Sequence, residues 1–171
     1  MNDERHVISV LVENKPGVLA RVAGMFSGRA FNIDSLAVAP TADNSYSRMT
    51  IVTHGSEQII EQIIKQLRKL INVVKVQDLT KGDYVDRELV LVRVKATAAK
   101  RAEVLRITDI FRGKVCDVSH DSITVEVSGT QSKIEAVLEL LSPVGITELI
   151  RTGAIAIPRA KKTLKPTGNS E

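Results

Sequence analysis

Tryptophan is absent from this 171-residue chain, and only three Phe and two Tyr occur in it. Its core must therefore be built from Ile, Val, Leu and Ala, and aromatic faces on which a base could stack are scarce. The single cysteine, Cys116, excludes an internal disulfide, and no charged-then-apolar leader with a small-residue cleavage site opens the sequence. A cytoplasmic location is the expectation. Long apolar runs are missing as well: residues 7–12 and 89–94 fall far short of the ~20 residues that a membrane helix needs. There is no glycine-rich phosphate loop and no dinucleotide fingerprint. His6, His54 and His120 have no metal-ligand spacing among themselves or with Cys116, and read as strand-end or turn residues. Asp117 and Asp121 read as solvated flanks of a hairpin, and Cys116 as a small buried hydrophobe on a strand. No catalytic residue, no metal site and no cofactor on this chain are expected.

What is present is an ordinary globular balance, 43% hydrophobic and 26% charged, enough for one domain or two small ones. The formal net charge of +4 invites a nucleic-acid reading, but the excess is concentrated at one end. Residues 159–171 hold four Lys/Arg against one acid, whereas residues 1–82 hold ten against eight and residues 83–158 ten against eleven. The body is nearly neutral, and residues 159–171, with Pro166, Gly168 and Asn169, read as a basic, disordered tail.

Periodicity divides the rest. Residues 6–13 form a strand rich in Val, Ile and Leu, ended by Asn14-Lys15-Pro16-Gly17. Leu19, Val22 and Phe26 then stand at helical spacing, marking an amphipathic helix over 18–29. Strands follow at 33–40 and 46–54, a helix at 57–71 carrying Ile60, Ile63, Ile64, Leu67 and Ile71 on one stripe, and a strand at 73–79. After a linker at 81–86 the same order returns: strand 88–96, helix 98–111, a hairpin of 114–119 and 122–128, helix 130–141, and an extended segment 146–157 interrupted by Gly153. The halves share an order of elements but little identity. The sequence thus predicts an α+β protein of two ferredoxin-like βαββαβ domains, 1–80 and 87–158, each an antiparallel sheet with its helices on one face. In that topology the second strand, Ile33-Asp34-Ser35-Leu36-Ala37-Val38-Ala39, lies at a sheet edge. It is apolar and lacks lysine, so its unpaired backbone groups solicit another strand, and a homodimer through this edge is expected.

The turn at Asn14-x-Pro16-Gly17-Val18-Leu19 is the most informative stretch for binding. A loop ending in glycine at a helix start leaves backbone N–H groups unpaired, and the helix dipole adds positive potential there, which suits a carboxylate. Asn14 can both donate to a carboxylate and accept from an ammonium group. The competing reading is a strand-to-helix turn in which Pro16 and Gly17 serve geometry alone. Asn32 is a second candidate: if two chains pair along the edge strand, it approaches the first helix of the other chain. Its competing role is to close the turn Phe31-Asn32-Ile33.

The string Asn14-x-Pro16-Gly17-Val18-Leu19-x-Arg21-Val22, continuing through Phe26-Ser27-x-Arg29-x-Phe31-Asn32-Ile33-Asp34-Ser35-Leu36 to Ser47-Arg48-Met49-Thr50-Ile51, resembles the ACT domain of the acetohydroxyacid synthase (acetolactate synthase) small regulatory subunits. The likeness extends through Gln66-Leu67-x-Lys69-Leu70, Arg87-Glu88-Leu89 and Phe111-Arg112-Gly113, and so covers all but the tail. The resemblance implies a non-catalytic regulatory subunit that activates a catalytic large subunit and confers feedback inhibition by valine in branched-chain amino acid (valine, leucine, isoleucine) biosynthesis. Thiamine diphosphate, Mg²⁺ and FAD would belong to the large subunit. The implied effector site comprises Asn14, Gly17, Val18 and Leu19 of one chain with Asn32 and Ile33 of the other. Ala30 stands where a glycine is common and Asp34 where a glutamate is common. Such substitutions should alter the size of the loop and not its chemistry. Two alternatives remain: an ACT-type amino-acid sensor acting on another partner, and an RNA-binding module of the same element order. The second is disfavoured because strand 7–12 carries no aromatic residue and the third strand offers only Tyr46.

Overall fold

A computed structural model of the chain describes residues 4–160. Its first half contains β1 (Glu4–Glu13), α1 (Val18–Ser27), β2 (Ser35–Pro40), β3 (Tyr46–Gly55), α2 (Glu57–Leu67) and β4 (Val73–Asp78). Its second half contains β5 (Tyr84–Lys95), α3 (Arg101–Ile110), β6 (Lys114–Val118), β7 (Ser122–Gly129), α4 (Gln131–Leu141), a single 3-10 turn at Ser142–Val144, β8 (Ile146–Arg151) and β9 (Ile155–Pro158). The first sheet runs β2-β3-β1-β4 and the second β6-β7-β5-β8, all neighbours antiparallel, which is the ferredoxin-like order twice over. β2 lies at a sheet edge, as its sequence indicates.

Alternation explains the first core. Ile8, Val10 and Val12 project from β1 on the face that meets Val18, Val22, Met25 and Phe26 of α1 and Ile60, Ile63 and Leu67 of α2. Each such side chain contributes roughly 1.5–3 kcal/mol when fully buried. The second core repeats the scheme with Val90, Val92 and Val94 of β5 against Val104 and Ile107 of α3 and Ile134, Val137 and Leu141 of α4.

Several boundaries differ from the sequence expectation. α1 stops at Ser27 rather than 29, because the Phe31 N–H returns to the Phe26 carbonyl at 3.0 Å and Ala30 takes a left-handed φ of 55°. β2 begins at Ser35, two residues beyond Ile33. α2 ends at Leu67, and Ile71, placed by periodicity on the buried stripe, is 87% exposed beyond the helix end. α3 starts at Arg101 rather than 98. Cys116 is exposed, not buried: it sits where β6, an edge strand exposed along its whole length, shifts register between Val115 and Asp117.

The largest departure concerns the expected linker 81–86. Tyr84, Val85 and Asp86 already belong to β5, whose first four residues pair with β9. The segment 146–157 is accordingly two strands, because Gly153, with φ 77°, turns the chain between them. The β9 and early β5 pair lies on the face of the first sheet opposite α1 and α2. There Val7, Val52 and Leu79 pack with Ala154, Ala156 and Tyr84, and the Ala156 N–H donates to Thr50 Oγ1 at 3.3 Å. The first sheet is thus covered on both faces, one of them by the second half of the chain. Of the basic tail, residues 161–171 lie outside the described residues, and the Arg159 N–H donates to the Asp83 carbonyl at 2.9 Å.

Candidate functional site

The turn between β1 and α1 is built by backbone geometry. Gly17 occupies the N-cap with φ 82° and ψ −7°, a left-handed conformation that disfavours a Cβ, and a Cβ placed there would meet nothing within 4 Å. Glycine is therefore favoured by the turn's backbone conformation, while the space beside it is open. The first helical bond runs from the Arg21 N–H to the Gly17 carbonyl at 3.0 Å, so the amides of Val18, Leu19 and Ala20 precede the hydrogen-bonded ladder. Only that of Val18 has a contact, a long one of 3.4 Å to Lys15 O. No side chain caps the helix, and its first turn has no acidic residue to occupy the positive end of the dipole. The helix start is thus a corner of positive potential.

The side chains around it divide their labour. Val18 is buried in the first core and offers the site its amide alone, whereas Leu19 is 43% exposed and provides apolar surface at the helix start. Asn14 is anchored on the β2–β3 turn: its N–H donates to the Ser45 carbonyl at 2.8 Å and its Nδ2 to the Asn44 carbonyl at 2.9 Å. Nearby Glu13 accepts from Asn72 Nδ2 at 2.6 Å and pairs with Lys15 Nζ at 3.0 Å. The Asn72 hydrogen bond, then Lys15, holds the Glu13 carboxyl below its ordinary range. Its charge is thus already partnered.

Asn32 and Ile33 lie beyond the other end of α1. Ten helical residues separate the two places by roughly 15 Å at 1.5 Å per residue. Within one chain, then, Asn32 does not join the Gly17 turn. Ile33 is half-buried against the first core. The Asn32 side chain is exposed, and its Nδ2 donates to Asp34 Oδ1 at 2.6 Å. Thr53 Oγ1 donates to the Asn32 carbonyl at 2.7 Å, and His54 Nδ1 lies 2.7 Å from Asp34 Oδ2. Asp34, Thr53 and His54 were not among the site residues expected from sequence. The spacing of Asn32 and Asp34 was a usable signal, but their link to β3 was not.

Beside this loop a cleft of about 410 Å³ separates the two halves, with Asp34, Ser35 and His54 on one wall. The opposite wall carries Glu88, buried, which accepts two hydrogen bonds from Arg151, Nε at 2.8 Å and Nη2 at 2.6 Å. That pairing raises the Arg151 pKa above its ordinary value. A second groove, about 310 Å³ and mostly apolar, follows the exposed edge from Ala37 to Thr41 and is closed behind by Ile155 and Ala156. The remaining polar candidates make local contacts. His6 is buried beside Asp78 at 3.2 Å, His120 presents its carbonyl to Arg101, and Asp121 accepts from Ser119 Oγ in the β6–β7 turn. Among the described residues no helix is long and apolar enough to cross a membrane.

Comparison with known proteins gives this geometry a context. Residues 8–75 match the family model described as the small subunit-like ACT domain of acetohydroxyacid synthase, and residues 87–160 that described as the small subunit of acetolactate synthase. A probable acetolactate synthase small subunit from Archaeoglobus fulgidus is 51% identical over 158 residues, spanning 92% of this chain and 99% of that one. The acetolactate synthase small subunit from Aquifex aeolicus is 51% identical over 156 residues, spanning 91% and 81%. Among solved structures, the acetolactate synthase small subunit from Thermotoga maritima superposes with a TM-score of 0.83 at 40% identity, covering 92% of this chain and 99% of that one.

Proposed function

The chain belongs to the acetolactate synthase small-subunit family, and from that premise we propose that it activates a catalytic acetolactate synthase subunit and makes it subject to inhibition by valine. The observation that carries the effector part is the uncapped, acid-free start of α1 at Gly17, where free amides and the helix dipole are offered to a carboxylate beside the exposed Leu19. Effector specificity for a small branched side chain fits that apolar surface.

A homodimer completes the site in this reading. The Gly17 corner and Asn32 stand at opposite ends of α1, so a ligand that uses both must take them from two chains. Exposed Val38, Ala39 and Pro40 on the β2 edge, with the apolar groove behind them, support strand-to-strand pairing as the means. Catalysis, with thiamine diphosphate, Mg²⁺ and FAD, is assigned to the large subunit. Regulation then acts through contact between subunits.

RNA binding of the RNA-recognition type is a weaker reading for a structural reason beyond the scarcity of aromatics. Such modules use an open sheet face. Here the corresponding face of β1 and β3 is covered by β9 and early β5.

The test is co-purification with the catalytic subunit, followed by assay of acetolactate formation with and without valine. The isolated chain should turn over no pyruvate, and its addition should raise the rate of the catalytic subunit and render it valine-sensitive. Acetolactate formation by the purified small chain alone would refute the assignment.

A further inference from the structure

Asp34 stands at the centre of a short hydrogen-bonded chain. One oxygen accepts from Asn32 Nδ2 at 2.6 Å, and the other lies 2.7 Å from His54 Nδ1. The Asp34 N–H donates to the Val52 carbonyl at 2.8 Å, and Thr53 Oγ1 holds the Asn32 carbonyl, so the loop is tied to β3 at both residues. It is also supported from behind by the second half of the molecule. Gly153 approaches so closely that a Cβ there would lie 3.2 Å from Ser35 Cβ.

A carboxylate only accepts hydrogen bonds, so Asn32 must turn its amide nitrogen toward Asp34 and leave Oδ1 directed away. What Asn32 then presents is an acceptor next to a carboxylate whose other oxygen is engaged by His54. That pair suits a cation bearing N–H groups and repels an anion. The Gly17 corner has the opposite character, with amide donors and no acid in the first helical turn. Glu13, the acid closest in sequence to that corner, is already neutralised by Lys15.

We propose that Asp34 is a positioning residue for recognition of the effector's α-ammonium group: it holds the Asn32 amide nitrogen and so turns Oδ1 outward as the acceptor. The inference rests on the effector reading above and divides its ligand in two, the carboxylate to the α1 start of one chain and the ammonium to the Asn32–Asp34 pair of the other.

The experiment compares binding of L-valine and of 3-methylbutanoate, which is valine without its amino group, to the full chain and to Asp34→Ala and Asp34→Glu. Calorimetry serves valine, and ligand-observed NMR at millimolar concentration serves the acid. The wild type should prefer valine strongly. Asp34→Ala should weaken valine tenfold or more while leaving 3-methylbutanoate unchanged, and Asp34→Glu should restore most of the valine affinity. A loop that had merely collapsed would weaken both ligands alike. Equal weakening of both, or of neither, overturns the proposal. If Gly17→Asp abolishes valine binding while Asp34→Ala does not alter it, the effector reading stands and this inference alone falls. If the wild-type chain takes up no valine, both fall together.

Discussion

Two left-handed backbone positions bracket α1, and they are occupied differently. At its start Gly17 fills a φ of 82° without strain; at its end Ala30 carries a φ of 55° that an L side chain adopts only at a penalty of roughly 1–2 kcal/mol. The alanine therefore matters through backbone conformation rather than loop size. Ala30→Gly should relieve that strain while adding about 0.4–1 kcal/mol of unfolded-state entropy loss, for a net gain of about 0.5–1 kcal/mol in urea unfolding. An unchanged midpoint would refute the strain. Gly17→Asp tests the other end. Aspartate tolerates the left-handed region better than most residues and meets no neighbouring atoms here, so the variant should fold at a strain cost of up to about 1–2 kcal/mol. Its charge falls where the ligand carboxylate is proposed to sit. At ~4 Å like charges repel by ~1 kcal/mol in water and ~4 kcal/mol at an effective dielectric of 20, which gives a loss of roughly fivefold to thousandfold in valine affinity. The variant should still activate the catalytic subunit; inhibition at the wild-type valine concentration would place the effector elsewhere.

At the scale of elements, β2 is the exposed one. Its partner on one side is β3, in register from Ser35 opposite Val52 to Pro40 opposite Ser47, and its other edge faces solvent. Val38, 44% exposed, lies in the middle of that edge. Val38→Lys keeps the intrachain ladder but sets a charge on the strand, a device by which natural edges resist pairing. In the proposed dimer both chains would carry this charge at the shared edge. Sedimentation velocity should report a shift from dimer to monomer with the thermal midpoint little altered. A dimer that persists at micromolar concentration would move the interface to another surface.

For the molecule as a whole, the two halves are joined by more than a linker. The β5 strand begins over the first sheet, where β9 returns to pair with it, and ends in the centre of the second sheet. The Glu88–Arg151 pair stands at this junction. Arg151→Ala strands a buried carboxylate, a change that destabilises by ~3–5 kcal/mol when both partners are fully buried. Because the Arg151 side chain is 42% exposed, about 2 kcal/mol is the better expectation. It should appear as loss of stability in chemical denaturation. A shift below ~0.5 kcal/mol, the range of exposed pairs, would show that water already screens the carboxylate.

The order of elements, the two cores and the edge position of β2 were legible in the sequence, because strand and helix periodicities are local and report which side of each element is apolar. The glycine corner was legible for the same reason: Pro16-Gly17 at a change of period marks a helix start wherever it occurs. Only the tertiary structure decided what each apolar side meets. Ile155 to Ile157 read as the end of an extended segment broken at Gly153, yet they pair with the start of β5 over the first sheet, since periodicity does not name a partner. Cys116 looked like core and proved exposed, because an edge strand with a shifted register lacks the neighbour that burial requires. The sign of φ at Ala30 and the contact of Asp34 with His54, twenty residues apart, depend on how the chain closes after α1 and on the register of β2 against β3. Those are relations between segments, and a sequence pattern specifies only the segments themselves.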